Sequence, residues 1–466
     1  MQRRDEHRWL PRSESVAIVA VAASAVLVRL PGTWSQSFWE DEVASARVIH
    51  TPTLAAALSQ IVKTESTPPL WYLLVWSLHR LGLPIVDARL LSVAAGAALT
   101  VLVVLLGRRF LPFRFALATG ALVAVGSEFV DHGHELRAYE LLAALTALFA
   151  LLLLDFVAKP TRRRALQLAV VVAAGGLTHF FFAFSIAAAA AWAAFDPAAR
   201  PLRRRILLTL GAGSLLPLAW LPLMLAQYHA GRFWWIGAFR VRHVLAIPLR
   251  LFTYAYSRPP VGPTLSAAMF LLVLAGALRL GRHSSNGRLI ACLALAPLAA
   301  AAALWAAGLP IFDLRNLIGS GPFIAISAIA ALEAAPRQLA AAGTYALTAA
   351  IAASLALSPP APTPPFAQIS HTLLHDGWNG TQAIAVVGDP ARYLLPLEWY
   401  LPGQPKLRIA TPSRLQCAET FVLSPGSARV NDPRNQTTIP HGESLLVEPS
   451  SHRCNHLRPR RINARS

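Results

Sequence analysis

Blocks rich in Ala, Leu and Val recur along the chain, separated by short clusters of arginine. Each block runs for about 17–22 residues, the length at which a helix crosses the ~30 Å oily layer of a bilayer. The basic clusters set the direction of each crossing. They comprise Arg3, Arg4, Arg8 and Arg12, then Arg108, Arg109 and Arg114, then Lys159 with Arg162–Arg164. Further along come Arg200 with Arg203–Arg205, Arg279 with Arg282 and Arg288, and Arg337. Such clusters stay on the cytoplasmic side, so any two of them enclose an even number of crossings. The pattern predicts eleven spans, near 15–31, 86–106, 115–131, 139–157, 165–178, 180–195, 206–226, 264–280, 289–306, 317–334 and 339–357. The N-terminus is then cytoplasmic, its basic start reads as an uncleaved signal anchor, and the C-terminal tail lies outside.

Three stretches depart from plain hydropathy. The apolar run 165–195 is too long for one ordinary span and lies between two basic clusters, so it predicts two short spans turning at Gly175-Gly176-Leu177-Thr178-His179, with a re-entrant loop as the alternative. Outer loops are predicted at 31–85, 127–138 and 227–263. The last of these carries Arg232, Arg240, Arg242, Arg250 and Arg258 among Phe233, Trp234 and Trp235, against the usual charge bias, and reads as a surface lying in the membrane interface. From Ser358 a Pro-rich linker leads into candidate strands at 383–387, 406–410, 419–423 and 444–448 and a helix at 390–400. The expected architecture is an all-α polytopic membrane bundle over 1–357. Residues 358–466 follow as linker, small extracytoplasmic α/β domain and basic tail.

Composition sharpens this picture. Of 466 residues, 55% are hydrophobic and 14% charged, with a mean hydropathy of +0.48; a soluble chain carries nearer a quarter charged residues. The net charge of +19 sits in the short clusters that flank apolar blocks, which argues for membrane anchors and against nucleic acid. Cys292, Cys417 and Cys454 have no metal or redox spacing. The two in the exported part are expected to pair, and Cys292 to remain a core thiol.

The candidate chemistry lies in the predicted outer loops. Glu40-Asp41-Glu42 follows the first span, and a carboxylate in a semi-buried cleft can take the proton of an attacking hydroxyl; a solvated acidic loop is the plain alternative. Glu65-Ser66-Thr67-Pro68-Pro69-Leu70-Trp71-Tyr72 reads as a rigid turn opening an interfacial helix. The patch Glu128, Asp131, His132, His134, Glu135, Arg137 and Tyr139 is dense in costly polar groups beside apolar spans. Its histidines suggest a metal, but His132 and His134 at i and i+2 do not share a helix face. Arg137 suits a phosphate.

Taken in order, Asp41-Glu42, Pro68-Pro69-Leu70-Trp71-Tyr72, Glu135-Leu136-Arg137-Ala138-Tyr139, Thr178-His179-Phe180 and Pro310-Ile311-Phe312-Asp313-Leu314-Arg315-Asn316 resemble the GT-C superfamily of polyprenyl-phosphate-sugar glycosyltransferases. The nearest groups are the protein O-mannosyltransferases, the lipid A aminoarabinose transferase and the Rgt-type bacterial enzymes. Asn316 stands where that group usually has Tyr. The resemblance implies a lipid-linked donor, an inverting single displacement and a site facing away from the cytoplasm of a bacterial plasma membrane. It makes Asp41 the base, with Glu42 beside it, and leaves Glu135 open between metal ligand, substrate clamp and support for Arg137. Arg137, Tyr139, His179, Arg315 and Glu65 become the substrate-binding set. A divalent cation is left open, and the acceptor is a protein, a lipid or a glycan. The competing readings are a lipid-linked-sugar flippase, for which internal repeats are expected and not found, and a non-catalytic scaffold for envelope assembly.

Overall fold

The computed structural model describes residues 11–229, 236–257 and 260–359 and, beyond them, 363, 366–375, 378, 383–386, 391–401, 409–410, 420–425, 436–438 and 443–446. The pairing expected of Cys417 with Cys454 and the basic tail lie outside the described residues, as do Arg232, Phe233, Trp234, Trp235 and Arg258. Two compact units are present: Met1–Thr33 with Val48–Pro360, and Trp34–Arg47 with Ala361–Ser466. The division is thus not a single cut near residue 358, because residues 34–47 of the first predicted loop group with the C-terminal part.

The helices in chain order are α1 (Arg12–Ser35), α2 (Glu40–Ile49), α3 (Leu54–Thr64), α4 (Leu70–Arg80), α5 (Leu90–Gly107), α6 (Phe113–Val125), α7 (Ser127–His132), α8 (Tyr139–Ala158), α9 (Arg162–Thr178), α10 (Phe182–Phe195), α11 (Arg203–Ala219), α12 (Leu221–His229), α13 (Val241–Arg250), α14 (Gly262–His283), α15 (Ser285–Ala306), α16 (Gly321–Glu333), α17 (Arg337–Leu357), α18 (Phe366–His375) and α19 (Ala391–Tyr400).

In the first unit, seven described helices are long and apolar enough to cross a membrane, counting leading 3-10 turns: Arg12–Ser35, Val86–Gly107, Tyr139–Ala158, Gly262–His283, Ser285–Ala306, Arg315–Glu333 and Arg337–Leu357. The shorter α6, α9, α10 and α11 complete the bundle. Each of the eleven predicted spans overlaps one of these helices. Ion pairs gather the basic clusters at one end: Arg108 to Glu14 at 2.7 Å, Arg109 to Asp155 at 2.8 Å, Arg288 to Asp196 at 2.5 Å and Arg279 to Glu333 at 2.6 Å. The opposite helix ends carry the loops with the polar motifs.

Two local departures shape that opposite end. α6 stops at Val125, short of the predicted 131, because Gly126 turns extended at φ −66°, ψ 132°. The freed N–H groups of Ser127 and Glu128 then donate to the carbonyls of Phe252 and Leu251 at 3.1 and 3.3 Å. The apolar run 165–195 forms α9 and α10, broken at His179, whose backbone is extended at φ −156°, ψ 137°. Gly175 permits this hairpin, since a Cβ there would strike the ring of Phe182.

A buried ion pair braces the bundle. Arg29 of α1 and Glu140 of α8 lie 3.6 Å apart with both side chains fully buried. Arg29 also donates to Ala124 O at 2.8 Å, capping the end of α6, and to Ala25 O at 2.9 Å. Gly96 and Gly133 leave room for it: a Cβ on Gly96 would sit 2.7 Å from Arg29 Nε, and one on Gly133 would collide with the same atom.

The second unit contains a five-stranded sheet. Its strands are β1 (Ala383–Val386), β2 (Ile409–Ala410), β3 (Thr420–Pro425), β4 (Gln436–Thr438) and β5 (Glu443–Leu446), in the order β2-β1-β3-β5-β4. β1 runs parallel to β2 and β3, while β5 is antiparallel to β3 and β4. The segment bearing the start of α2 packs on α19. Phe38 N–H donates to Tyr400 Oη at 2.8 Å, the rings of Phe38 and Trp399 lie 6.3 Å apart, and Arg47 pairs with Glu398 at 2.8 Å.

Candidate active site

The first part of the site forms where α3 ends at Thr64, because its C-cap Glu65 is extended at φ −96°, ψ 157°. Glu65 is thereby turned inward, only 2% exposed. Its Oε2 accepts from Arg137 Nη1 at 2.9 Å and from Tyr72 Oη at 2.6 Å. Burial, and then the carboxylate of Glu65 against the opposing pull of Arg137, hold the Tyr72 phenol protonated, well above its usual range. Thr67 Oγ1 lies 2.6 Å from Tyr72 Oη; with the phenol proton committed to Glu65, Thr67 is the donor. Arg137 is thus fixed by a charge-assisted bond to a residue 72 positions earlier. Its loop is pinned by Ser92 Oγ, which donates to Glu135 O at 2.6 Å and to Arg137 O at 3.3 Å.

Tyr139, at the first position of α8, joins two cations. The guanidinium carbons of Arg137 and Arg315 lie 6.0 and 5.8 Å from its ring centre. Arg315 opens a 3-10 turn whose backbone N–H donates to Asp313 Oδ1 at 3.2 Å, and its side chain pairs with the same oxygen at 3.3 Å. His179 faces Tyr139 at 5.8 Å between ring centres. Its Nδ1 accepts the Phe181 N–H at 3.2 Å, which leaves the proton of the neutral ring on Nε2. Burial, followed by Arg137 and Arg315, pulls its pKa down to about 3, so the ring is neutral near pH 7. Among the described residues nothing accepts from Nε2.

Beside this cationic side stands an acidic one built on α7. His132 Nδ1 meets Glu135 at 2.7 Å and its Nε2 meets Glu128 at 3.1 Å. Burial opposes charge on His132, but the bonds to Glu135 and Glu128 outweigh it and hold the imidazolium form well above the ordinary range. The same pairing overcomes burial at Glu135 and lowers its pKa. Tyr254 Oη donates to Glu128 at 2.6 Å and lies 3.1 Å from Asp131. Burial first, then Glu135 and Glu128, push Asp131 up to about 7. His134 is elsewhere: its ring packs where a Cβ of Gly32 would be, 2.6 Å away, and burial pulls its pKa to about 4.

The structure therefore gathers Glu65, Glu135, Arg137, Tyr139, His179 and Arg315 at one end of the first unit. Glu135 is bonded to His132, and Glu65 is the carboxylate that holds Arg137. Asp41 and Glu42 belong to the second unit, in the first turn of α2, where carboxylates favour the helix dipole; Glu42 is buried and its Oε2 accepts from Trp39 N–H at 3.4 Å. Tyr254 was not singled out by the sequence. Glu128, His132 and Glu135 had a signal, their i+4 and i+3 spacing. Among the described residues no three His, Cys, Asp or Glu side chains are arranged to hold a metal. Both nitrogens of His132 are already bonded to carboxylates, so this cluster does not fit a cation site as it stands.

A bundle of alternating apolar helices with polar loops gathered at one end defines a multi-pass membrane protein. Within that class, residues 66–222 match the family model described as dolichyl-phosphate-mannose-protein mannosyltransferase. The fold is similar to the Archaeoglobus fulgidus oligosaccharyltransferase in complex with Zn and sulfate (TM-score 0.55, 12% identity, 88% of this chain and 68% of that one). It is similar also to apo ArnT from Cupriavidus metallidurans (0.54, 12%, 89% and 93%). A third similar structure is the same oligosaccharyltransferase tethered to an acceptor peptide containing the NVT sequon (0.52, 12%, 86% and 64%). No curated protein matches the chain in sequence.

Proposed function

We propose that this chain is a membrane glycosyltransferase that moves a sugar from a polyprenyl-phosphate carrier to a protein, lipid or glycan acceptor outside the cytoplasm. One observation carries the reading: among the described residues the buried His179 Nε2–H has no acceptor, and it is placed beside Arg137 and Arg315. An orphaned donor among cations is what an anionic ligand satisfies, and a lipid phosphate is the anion that the family match on residues 66–222 favours. In this reading the acceptor oxygen attacks the anomeric carbon as its proton passes to Asp41. The bond from that carbon to the phosphate oxygen breaks, the electron pair leaves with the polyprenyl phosphate, and configuration inverts. Arg137 and Arg315 take up the growing phosphate charge, and Glu65 with Tyr72 holds Arg137 in place.

The test supplies membranes containing the protein with labelled polyprenyl-phosphate sugars, mannose and other hexoses and pentoses among them. At least one label should reach an extracytoplasmic acceptor. Asp41→Asn should slow that transfer by at least about a hundredfold while donor binding survives. Full transfer by Asp41→Asn would remove Asp41 from the mechanism. Movement of intact lipid-linked sugar across the membrane without transfer would instead make the chain a carrier.

A further inference from the structure

Charge that the proposed reaction does not use is concentrated on α13 and the turn before it. Residues 237–242 are exposed throughout, a run that includes Phe239, Arg240, Val241 and Arg242. Ile247, Pro248 and Leu249 are buried, while Leu245 is exposed and Arg250 partly so. The surface is fixed from beneath by aromatic stacking. Trp305 Nε1 donates to Gly237 O at 2.8 Å, and Phe239 meets the Trp305 ring edge-on at 5.0 Å. His243 lies nearly parallel to Trp305 at 6.1 Å, and Trp305 stacks on Phe312 at 4.9 Å. Arg240, Arg242 and Arg250 are all close enough to His243 to repel its proton, adding to the effect of burial. Among the described residues none of these three arginines forms an ion pair with a carboxylate. The carbonyls that follow α13, at Leu251 and Phe252, hold the start of α7, so this surface lies at the same end of the bundle as the candidate site.

We propose that this face is a binding site for anionic phospholipid headgroups of the leaflet at that end. Three uncompensated guanidiniums call for phosphate. The exposed Phe239, Val241 and Leu245 between them decide what kind of partner carries it: apolar side chains interleaved with arginine enter a headgroup and acyl boundary, whereas a water-borne acidic partner would leave them wet. The inference does not depend on the transfer reaction.

The test uses the full chain in nanodiscs with equal amounts of phosphatidylglycerol and phosphatidylcholine. Val241 is replaced by a photoreactive phenylalanine analogue, and cross-linked lipid is identified by mass spectrometry. Phosphatidylglycerol adducts should exceed phosphatidylcholine adducts by about fivefold or more, given the strong attraction of each arginine to an anionic surface. The combined R240Q, R242Q and R250Q changes should bring the ratio close to one. The same analogue at Leu216, exposed on α11, should show no preference in either background. Equal yields with the arginines intact would overturn the proposal, as would absence of lipid adducts. So would loss of the phosphatidylglycerol adduct on adding inorganic phosphate, which would point to a free anion, or its displacement by an acidic peptide.

Discussion

A buried hydrogen-bond donor left without a partner costs about 1–3 kcal/mol, and among the described residues His179 carries one beside two arginines. His179→Ala should therefore leave thermal stability unharmed while weakening donor binding about tenfold, the value of one hydrogen bond to a charged group. Arg137→Ala should lose on the order of 2–4 kcal/mol of donor binding or leaving-group stabilisation. It also strands Glu65, so Glu65→Gln in the same chain should recover stability but not transfer. The two histidines that burial keeps neutral predict a pH dependence. His179 falls from the ordinary imidazole value to about 3 and His134 to about 4. The unfolded chain therefore takes up protons near pH 6.5 that the folded chain refuses. The contribution of these two histidines is full above that pH and is lost as pH falls towards 3. Asp131, raised to about 7, acts in the opposite direction over this range, so the histidine contribution is read as a difference: thermal unfolding in detergent between pH 7.5 and 5 should show the unaltered protein losing stability relative to His179→Gln as pH falls. At this scale the sequence revealed residue types in suspicious company, including Arg137 and His179. It did not reveal their partners: Glu65 meets Arg137 because the chain leaves α3 in an extended conformation that turns it inward.

Among the elements, the apolar blocks were legible because a bilayer demands long uninterrupted stretches. The end of α6 was not, since Gly126 breaks the helix while apolar residues resume at Phe129 and Val130. Arg29 was equally hidden, as a single charge near the end of an apolar block reads as an interfacial anchor. Its meaning depends on Glu140, 111 positions later in the sequence, and on the space left by Gly96 and Gly133. Breaking a buried ion pair on one side costs about 3–5 kcal/mol, whereas replacing both partners by apolar groups is often nearly neutral. Glu140→Leu should accordingly destabilise the protein strongly, and Arg29→Met with Glu140→Leu should restore most of the loss. Denaturant unfolding of the purified variants in detergent measures both.

For the whole molecule, the collection of basic clusters at one end of the bundle yields a prediction of orientation. A cysteine at Ser66 should react with an impermeant thiol reagent applied from outside, and one at Thr161 should not. The reverse labelling pattern would turn the candidate site towards the cytoplasm and remove the proposed donor geometry. What the sequence concealed at this scale is the membership of residues 34–47, because nothing local marks a loop that packs against residues near 400.

That membership has a consequence for how the protein is made. Arg47 meets Glu398 across 351 positions, a stretch that takes a ribosome roughly 20–70 s at typical elongation rates. For that interval the bundle is being threaded into the bilayer while the helix carrying Asp41 lacks the side chains it packs on. On the role proposed for Asp41, a chain ended after Pro360 should insert and bind donor yet transfer no sugar, measurable by the same labelled-donor assay. On that same reading, order of manufacture works as a safety catch: a half-made chain has nothing with which to fire.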